Sequence, residues 1–366
     1  MKFISSAFLI FLFTSLSLAT ELRLTRAQAL AQGFFPQTIS KKSTTTRDDL
    51  AAHSLAWPVK FIDAKHSIGN SMPEYQNYSN EAYYHAGADL RLQQSGQVVA
   101  PTDGFIQGNY YTYVTDPNTG EDKKFTKPIT NGGDPLYFEI TLKTADNLFL
   151  EFHHVNPDNL PKAIYELVLR GGGNVQRGEI LGTAAVWPVS RFGERYDHIH
   201  YNLISANGVY LNPEYYSHAF IDNLAPVIKN IFAVYRDKKV EVLNQKLNAL
   251  PTELIVSAID IKGENIYPLP PTLVEATWSV LGSESQKVGW DFTQKLLNSL
   301  GLFPDIREVY ARNLKLSDGR SFTTRGDYSN TIFLFRLKIP PTATSPITLK
   351  VSDGSGNEKI VVLDIN

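Results

Sequence analysis

The sequence predicts a mainly β protein made of two consecutive antiparallel units, and three observations carry that reading. Short segments with period-two alternation recur from Trp57 to about Phe220 and again from Val227 to Asn366. Gly, Pro, Asn and Asp separate them, as turns between strands require. Only two stretches, Arg26 to Gln32 and Phe292 to Leu300, suggest helices.

Taken in order, the chain opens with Met1 and Lys2, an apolar run from Phe3 to Leu18, and the small residues Ser17 and Ala19. That is a short basic region, an apolar core and a small-x-small cleavage site, so residues 1–19 are expected to be a signal peptide. Export to the periplasm or the cell exterior follows, with no transmembrane span in the mature chain. Residues 20–56 form a polar lead-in, Ser/Thr/Lys-rich between Ser40 and Arg47.

Residues 57–221 form the first unit. Leu136 to Leu142 alternates cleanly, Ala145-Asp146-Asn147 offers a turn, and Leu148 to Val155 returns, which reads as a hairpin. Residues 222–366 form the second unit, with strands at Val227–Val234 and Thr331–Ile339. Its final hairpin runs from Ile347 through the turn Asp353-Gly354-Ser355-Gly356-Asn357 to Ile360–Ile365. This ending resembles immunoglobulin-like bacterial surface modules, so a β-sandwich with a helix near Phe292–Leu300 is expected.

A length of 366 residues lets each unit bury its own core. The net charge of −2 gives no basic field for nucleic acid. The chain has no cysteine, which removes thiolate nucleophiles, thiolate ligands and disulfides. Any metal must therefore be held by His and carboxylate.

None of the eight histidines lies beyond His218, and three segments concentrate them: Tyr84-His85-Ala86-Gly87-Ala88-Asp89, Phe152-His153-His154-Val155 and Tyr196-Asp197-His198-Ile199-His200. Alternate strand residues share a face, so His198 and His200 point into one cleft while Ile199, Tyr201 and Leu203 pack behind. By the same parity His153 and Glu151 oppose Leu150, Phe152 and His154, and the two adjacent histidines reach one site only if the strand is irregular. Two histidines and a carboxylate with an open position form the donor set of a catalytic zinc site.

In order and flanks, these segments resemble the lysostaphin/LytM-type zinc metallopeptidases. His85-x-x-x-Asp89, Phe152-His153-His154-Val155 and His198-x-His200 follow the family's succession. Ala100-Pro101-Thr102-Asp103-Gly104, Val175 to Gly182 and Val209 to Pro213 match its flanks. The resemblance spans about Trp57 to Tyr216 and implies a duplicated hybrid motif fold. It further implies one Zn²⁺ per chain on His85, Asp89 and His200, with His154 and His198 as catalytic histidines acting on a zinc-bound water. The implied activity is hydrolysis of peptide bonds in peptidoglycan stem peptides or cross-bridges. The C-terminal module is expected to bind wall or a protein partner. Asp197 reads either as orienting a histidine or as a solvated charge, while Glu151 and His153 are expected to face away from the metal and, with His53, His66 and His218, receive no role. The alternative is a catalytically silent family member that binds or activates another cell-wall hydrolase.

Overall fold

The computed structural model describes residues 24–36, 50–61, 67–77, 82–92, 96–115, 122–188, 190–191, 194–236, 238–242, 244–279, 285–324 and 332–365. The expected signal peptide, residues 20–23 and 37–49 of the lead-in, and His66 lie outside them. Among the described residues, no helix is long and apolar enough to cross a membrane.

The chain is mainly β, with several antiparallel sheets. Nine strands make the largest. Along its main path Phe35–Pro36, Asp122–Pro128, Gly104–Thr115, Phe138–Lys143, Phe149–His153, His198–Ile204 and Tyr210–Leu211 pair in that order. Gly173–Val175 joins the Gly104–Thr115 strand, and Ala88–Arg91 joins His198–Ile204. The predicted hairpin is present, Lys143 opposing Phe149 and Glu139 opposing His153. Its first strand begins at Phe138 because Pro135–Tyr137 forms a 3₁₀ turn capped by Asp134. One face of the sheet is apolar. Ile140, Leu150, Phe152, Ile199, Tyr201 and Leu203 are all fully buried there, each such side chain contributing roughly 1.5–3 kcal/mol by leaving water. The opposite face carries the polar residues described below.

At the N-terminal side, Arg26–Ala31 is helical as predicted. Thr25 caps it by accepting from the Gln28 N–H, and the Gln28 side chain returns a bond to Thr25, a reciprocal capping box.

The C-terminal half has two sheets over one core. Lys239–Glu241, Val227–Val234, Glu253–Ile259 and Phe333–Lys338 form the first. The second holds Lys246–Leu247, Glu358–Ile365, Ile347–Ser352, Leu273–Trp278 and Gln286–Asp291. Leu273–Trp278 alternates perfectly, with Val274, Ala276 and Trp278 turned inward, where they meet Val256, Leu337, Leu349 and Val351.

Two features depart from expectation. Phe292–Leu300 is not helical: Asn212 donates its N–H to the Gln294 carbonyl and Leu296 donates to Tyr210 O, so pairing with the Tyr210–Leu211 strand takes the backbone groups a helix would use. The halves also share a core. Met72, Tyr75 and Tyr84, which precede His85, pack among C-terminal residues, and the Tyr310 hydroxyl donates to Pro73 O.

Candidate metal centre

The His198–Ile204 strand organises the site because it is flanked on both sides. Its register sets His200 opposite Asp89 on one neighbour and opposite His153 on the other. His85 arrives from the bend before Ala88–Arg91, which needs glycine at 87. A Cβ there would stand 2.3 Å from Tyr201 O and 2.4 Å from Asn202 Oδ1.

His85, Asp89 and His200 meet. His85 Nε2 is 2.9 Å from Asp89 Oδ1 and 2.8 Å from His200 Nδ1, which is 3.1 Å from Asp89 Oδ1. These separations approach the about 3.3 Å between donors around a tetrahedral zinc.

The remaining ring nitrogens assign the tautomers. His85 Nδ1–H donates to Gly87 O at 3.1 Å. His200 Nε2–H donates to Asn202 Oδ1 at 2.9 Å, and Asn202 is itself oriented because its Nδ2 donates to Glu151 Oε2. His85 Nε2, His200 Nδ1 and Asp89 Oδ1 therefore all turn lone pairs to one point, an arrangement satisfied by a shared cation. Burial first, then the neighbouring His85, lowers the His200 pKa to about 4, so its ring stays neutral and ligating. Burial alone would raise the Asp89 carboxyl, but His198 and His85 outweigh it and hold the group well below the usual range. The three residues can hold a metal ion.

Asp89 Oδ2 faces a second set of donors: Asn70 Nδ2 at 2.9 Å and the Tyr196 hydroxyl at 3.1 Å, with His198 Nε2 at 3.7 Å. Tyr196 reaches it over Gly69, whose absent Cβ would sit 1.9 Å from the hydroxyl oxygen. Neither Asn70 nor Tyr196 was marked by the sequence patterns.

His154 and His198 lie together beside this point, ring centroids 5.0 Å apart. The Phe149–His153 strand stops one residue short of His154, whose φ of +65° swings its ring onto the polar face. Its Nδ1–H donates to Leu136 O at 2.5 Å, and His198 Nδ1–H donates to Tyr196 O at 2.8 Å, so each ring offers Nε2. Burial, then the neighbouring His198, drives the His154 pKa well below its ordinary value. Trp187 lies over both rings, 4.6 and 4.4 Å from their centroids.

Two expectations are corrected. Glu151 and His153 do not face away from the centre. They oppose Asn202 and His200 across the strand pair, so all four side chains share a face, and the His153 ring lies 5.1 Å from that of His200. With Glu139 and Lys124 they form a second buried network. Lys124 Nζ is 2.6 Å from both Glu139 Oε2 and Glu151 Oε1, and His153 Nε2 is 3.0 and 3.2 Å from Glu139 Oε2 and Glu151 Oε2.

Asp197 is neither solvated nor bonded to a histidine ring. It is buried, accepts the Trp187 N–H and an Arg195 guanidinium N–H at 2.8 Å each, and so fixes the segment above the site. Arg91, fully buried, donates to Asp197 O and Arg195 O and to the Tyr267 hydroxyl. Through Tyr267 and Leu269, which pack on Tyr196 and Trp187, the C-terminal half forms the outer wall of the centre. His53 Nδ1–H donates to Ser217 O and His218 is exposed, both away from the centre.

No protein-family model matches the chain, and no curated protein matches it in sequence.

Proposed function

We propose that the protein is an exported zinc metalloendopeptidase of the lysostaphin/LytM type, hydrolysing peptide bonds in peptidoglycan stem peptides or cross-bridges. One observation carries the reading: two tautomer-fixed histidines and a carboxylate aim lone pairs at one point, with two more histidines beside them. This is the donor set of a zinc that keeps a reactive position. Zinc, when bound, supplies Lewis acidity to a scissile carbonyl and makes water available as hydroxide near neutral pH.

The chain's own residues supply the proton handling. His154 presents an unprotonated Nε2 beside the metal donors and accepts a proton there. His198 presents Nε2 3.7 Å from Asp89 Oδ2, an attraction that strengthens when the ring is protonated, and it returns a proton to the leaving amine. Asp197 and Arg91 keep Trp187 above both rings, narrowing the approach to an extended peptide. The C-terminal sandwich, read as an immunoglobulin-like module, braces the site and binds wall or a protein partner.

The test is release of new amino groups from purified peptidoglycan by the mature protein with zinc. Wild type should release them, and His198→Ala should lose about 10²–10⁴-fold while keeping its metal. A second reading is favoured by enclosure: the five residues are only 3–6% exposed. In that reading the metal is structural and the protein binds rather than cuts. Metal-loaded protein that releases no amines, as wild type or as Trp187→Ala, would support it over the peptidase.

A further inference from the structure

A third cluster of ligating side chains lies far along the chain from the first two, where the two halves join. Asp222 is in the connector, Asp260 directly follows the Glu253–Ile259 strand, and Asp353 directly follows Ile347–Ser352. We propose that Asp222, Asp260 and Asp353 form a binding site for a hard divalent cation of calcium's size, which locks the C-terminal sandwich onto the first unit.

The three carboxylates offer oxygens within 4.8 Å of one another and all are buried, Asp260 completely. Glu214, from the short helix Pro213–Tyr216 of the first unit, adds a fourth buried carboxylate. It is joined to Asp260 by Lys262, whose Nζ is 3.1 Å from Glu214 Oε2 and 3.2 Å from Asp260 Oδ2. One ammonium thus pairs with two of four clustered carboxylates.

Hydrogen bonding leaves the deficit visible. Asp353 is satisfied by the Ser355 and Asn357 N–H groups and by Asn357 Nδ2, and Asp222 Oδ1 accepts from the Leu224 and Gly263 N–H groups. Asp222 Oδ2, Asp260 Oδ1 and Glu214 Oε1 are buried and accept no hydrogen bond. Buried acceptors without a partner are costly, and a cation bound between them removes the cost. Asn357 Nδ2 also donates to Asp222 O at 3.1 Å, so the Asp353–Asn357 turn and the connector already touch.

The donor set selects the ion. All ligands are oxygen, which suits calcium or magnesium rather than zinc. Calcium takes oxygens at about 2.3–2.6 Å and tolerates irregular geometry, whereas magnesium demands a near-ideal, tighter octahedron. A cavity of about 230 Å³ lined by His53, Glu214, Asp222, Lys262 and Ser355 gives solvent access.

This site is independent of whether the first centre cuts peptides, and its test reads binding and unfolding only. Calcium chloride is titrated calorimetrically into the full mature chain, and thermal unfolding is followed with and without the ion. Wild type should bind one calcium per chain, with a dissociation constant on the order of 10⁻⁴–10⁻³ M, as in extracellular modules. Calcium a hundredfold above that constant should raise Tm by about 3–5 °C, and equal magnesium by less. Asp260→Asn and Asp222→Asn should each abolish the shift, while Asp146→Asn, on the exposed hairpin turn, should keep it. Asp260→Asn should be at least as stable as calcium-free wild type, because it removes one of the repelling charges. No calcium heat and no shift in wild type would overturn the proposal, as would an undiminished shift in either folded variant.

Discussion

Two clusters of histidine and carboxylate sit side by side on one face of the same sheet and neutralise charge in opposite ways. In the Glu139–Glu151–His153 cluster the cation is built in, with Lys124 held 2.6 Å from each carboxylate. Burial opposes a charge on His153, but hydrogen bonds to Glu139 and Glu151 outweigh it and raise the pKa. In the His85–Asp89–His200 cluster three donors converge, and burial keeps His200 neutral, with a pKa of about 4. Similar ligand sets thus do different work: the first is closed by its lysine, whereas the second is arranged for a cation from outside. Asn202 joins them, donating to Glu151 and accepting from His200.

Several substitutions would break or sharpen this contrast. The largest effect is expected for Asp89→Ala, which should take bound metal from one ion per chain to none by elemental analysis, with the fold kept by circular dichroism. Next is Lys124→Met. It leaves two buried carboxylates without their ammonium and should destabilise the protein by about 3–5 kcal/mol in denaturant titrations. The same variant should gain a second, weaker site for added divalent metal if Lys124 is what closes that cluster. Asn202→Ala removes the acceptor that fixes the His200 tautomer, so metal affinity should fall about 10–100-fold in chelator competition. An unchanged affinity would detach the two clusters.

The smallest expected effect is a pH dependence at the junction. Burial raises the Asp260 pKa to about 7, with Lys262 opposing and Asp353 and Asp222 reinforcing. Glu214, His53, Lys262 and Asp222 line the neighbouring cavity. The folded state then binds this proton more tightly than the unfolded one. The contribution is complete below the ordinary carboxylate range, and calcium-free stability should decline as pH rises from about 4 through 7. Denaturation midpoints across that range would show it, and saturating calcium should flatten the slope.

What the sequence made legible follows the periodicity of strands. His-x-His in an alternating segment places two rings on one face whatever the fold, so His198 and His200 were readable, as were the hairpin and the strands around it. The parity of Glu151 and His153 was readable as well. What parity could not say is which face of the hairpin the neighbouring strand would share, since that depends on the pairing of Phe149–His153 with His198–Ile204. The +65° φ of His154 is likewise a tertiary outcome, stabilised by the Leu136 carbonyl. Asn70 and Tyr196 carry no pattern, and reach Asp89 only after distant segments are brought together. The expected helix at Phe292–Leu300 failed because its backbone pairs with that of Tyr210 and Asn212, from a distant part of the sequence.

The central claim is that His85, Asp89 and His200 hold one divalent metal beside His154 and His198. Zinc stoichiometry of the purified protein tests it most directly, measured for wild type, His200→Ala and His154→Ala at neutral pH. One zinc per chain in wild type and His154→Ala, with none in His200→Ala, is the predicted result. Metal-free wild type in the presence of excess zinc, or full occupancy retained in His200→Ala, would contradict it.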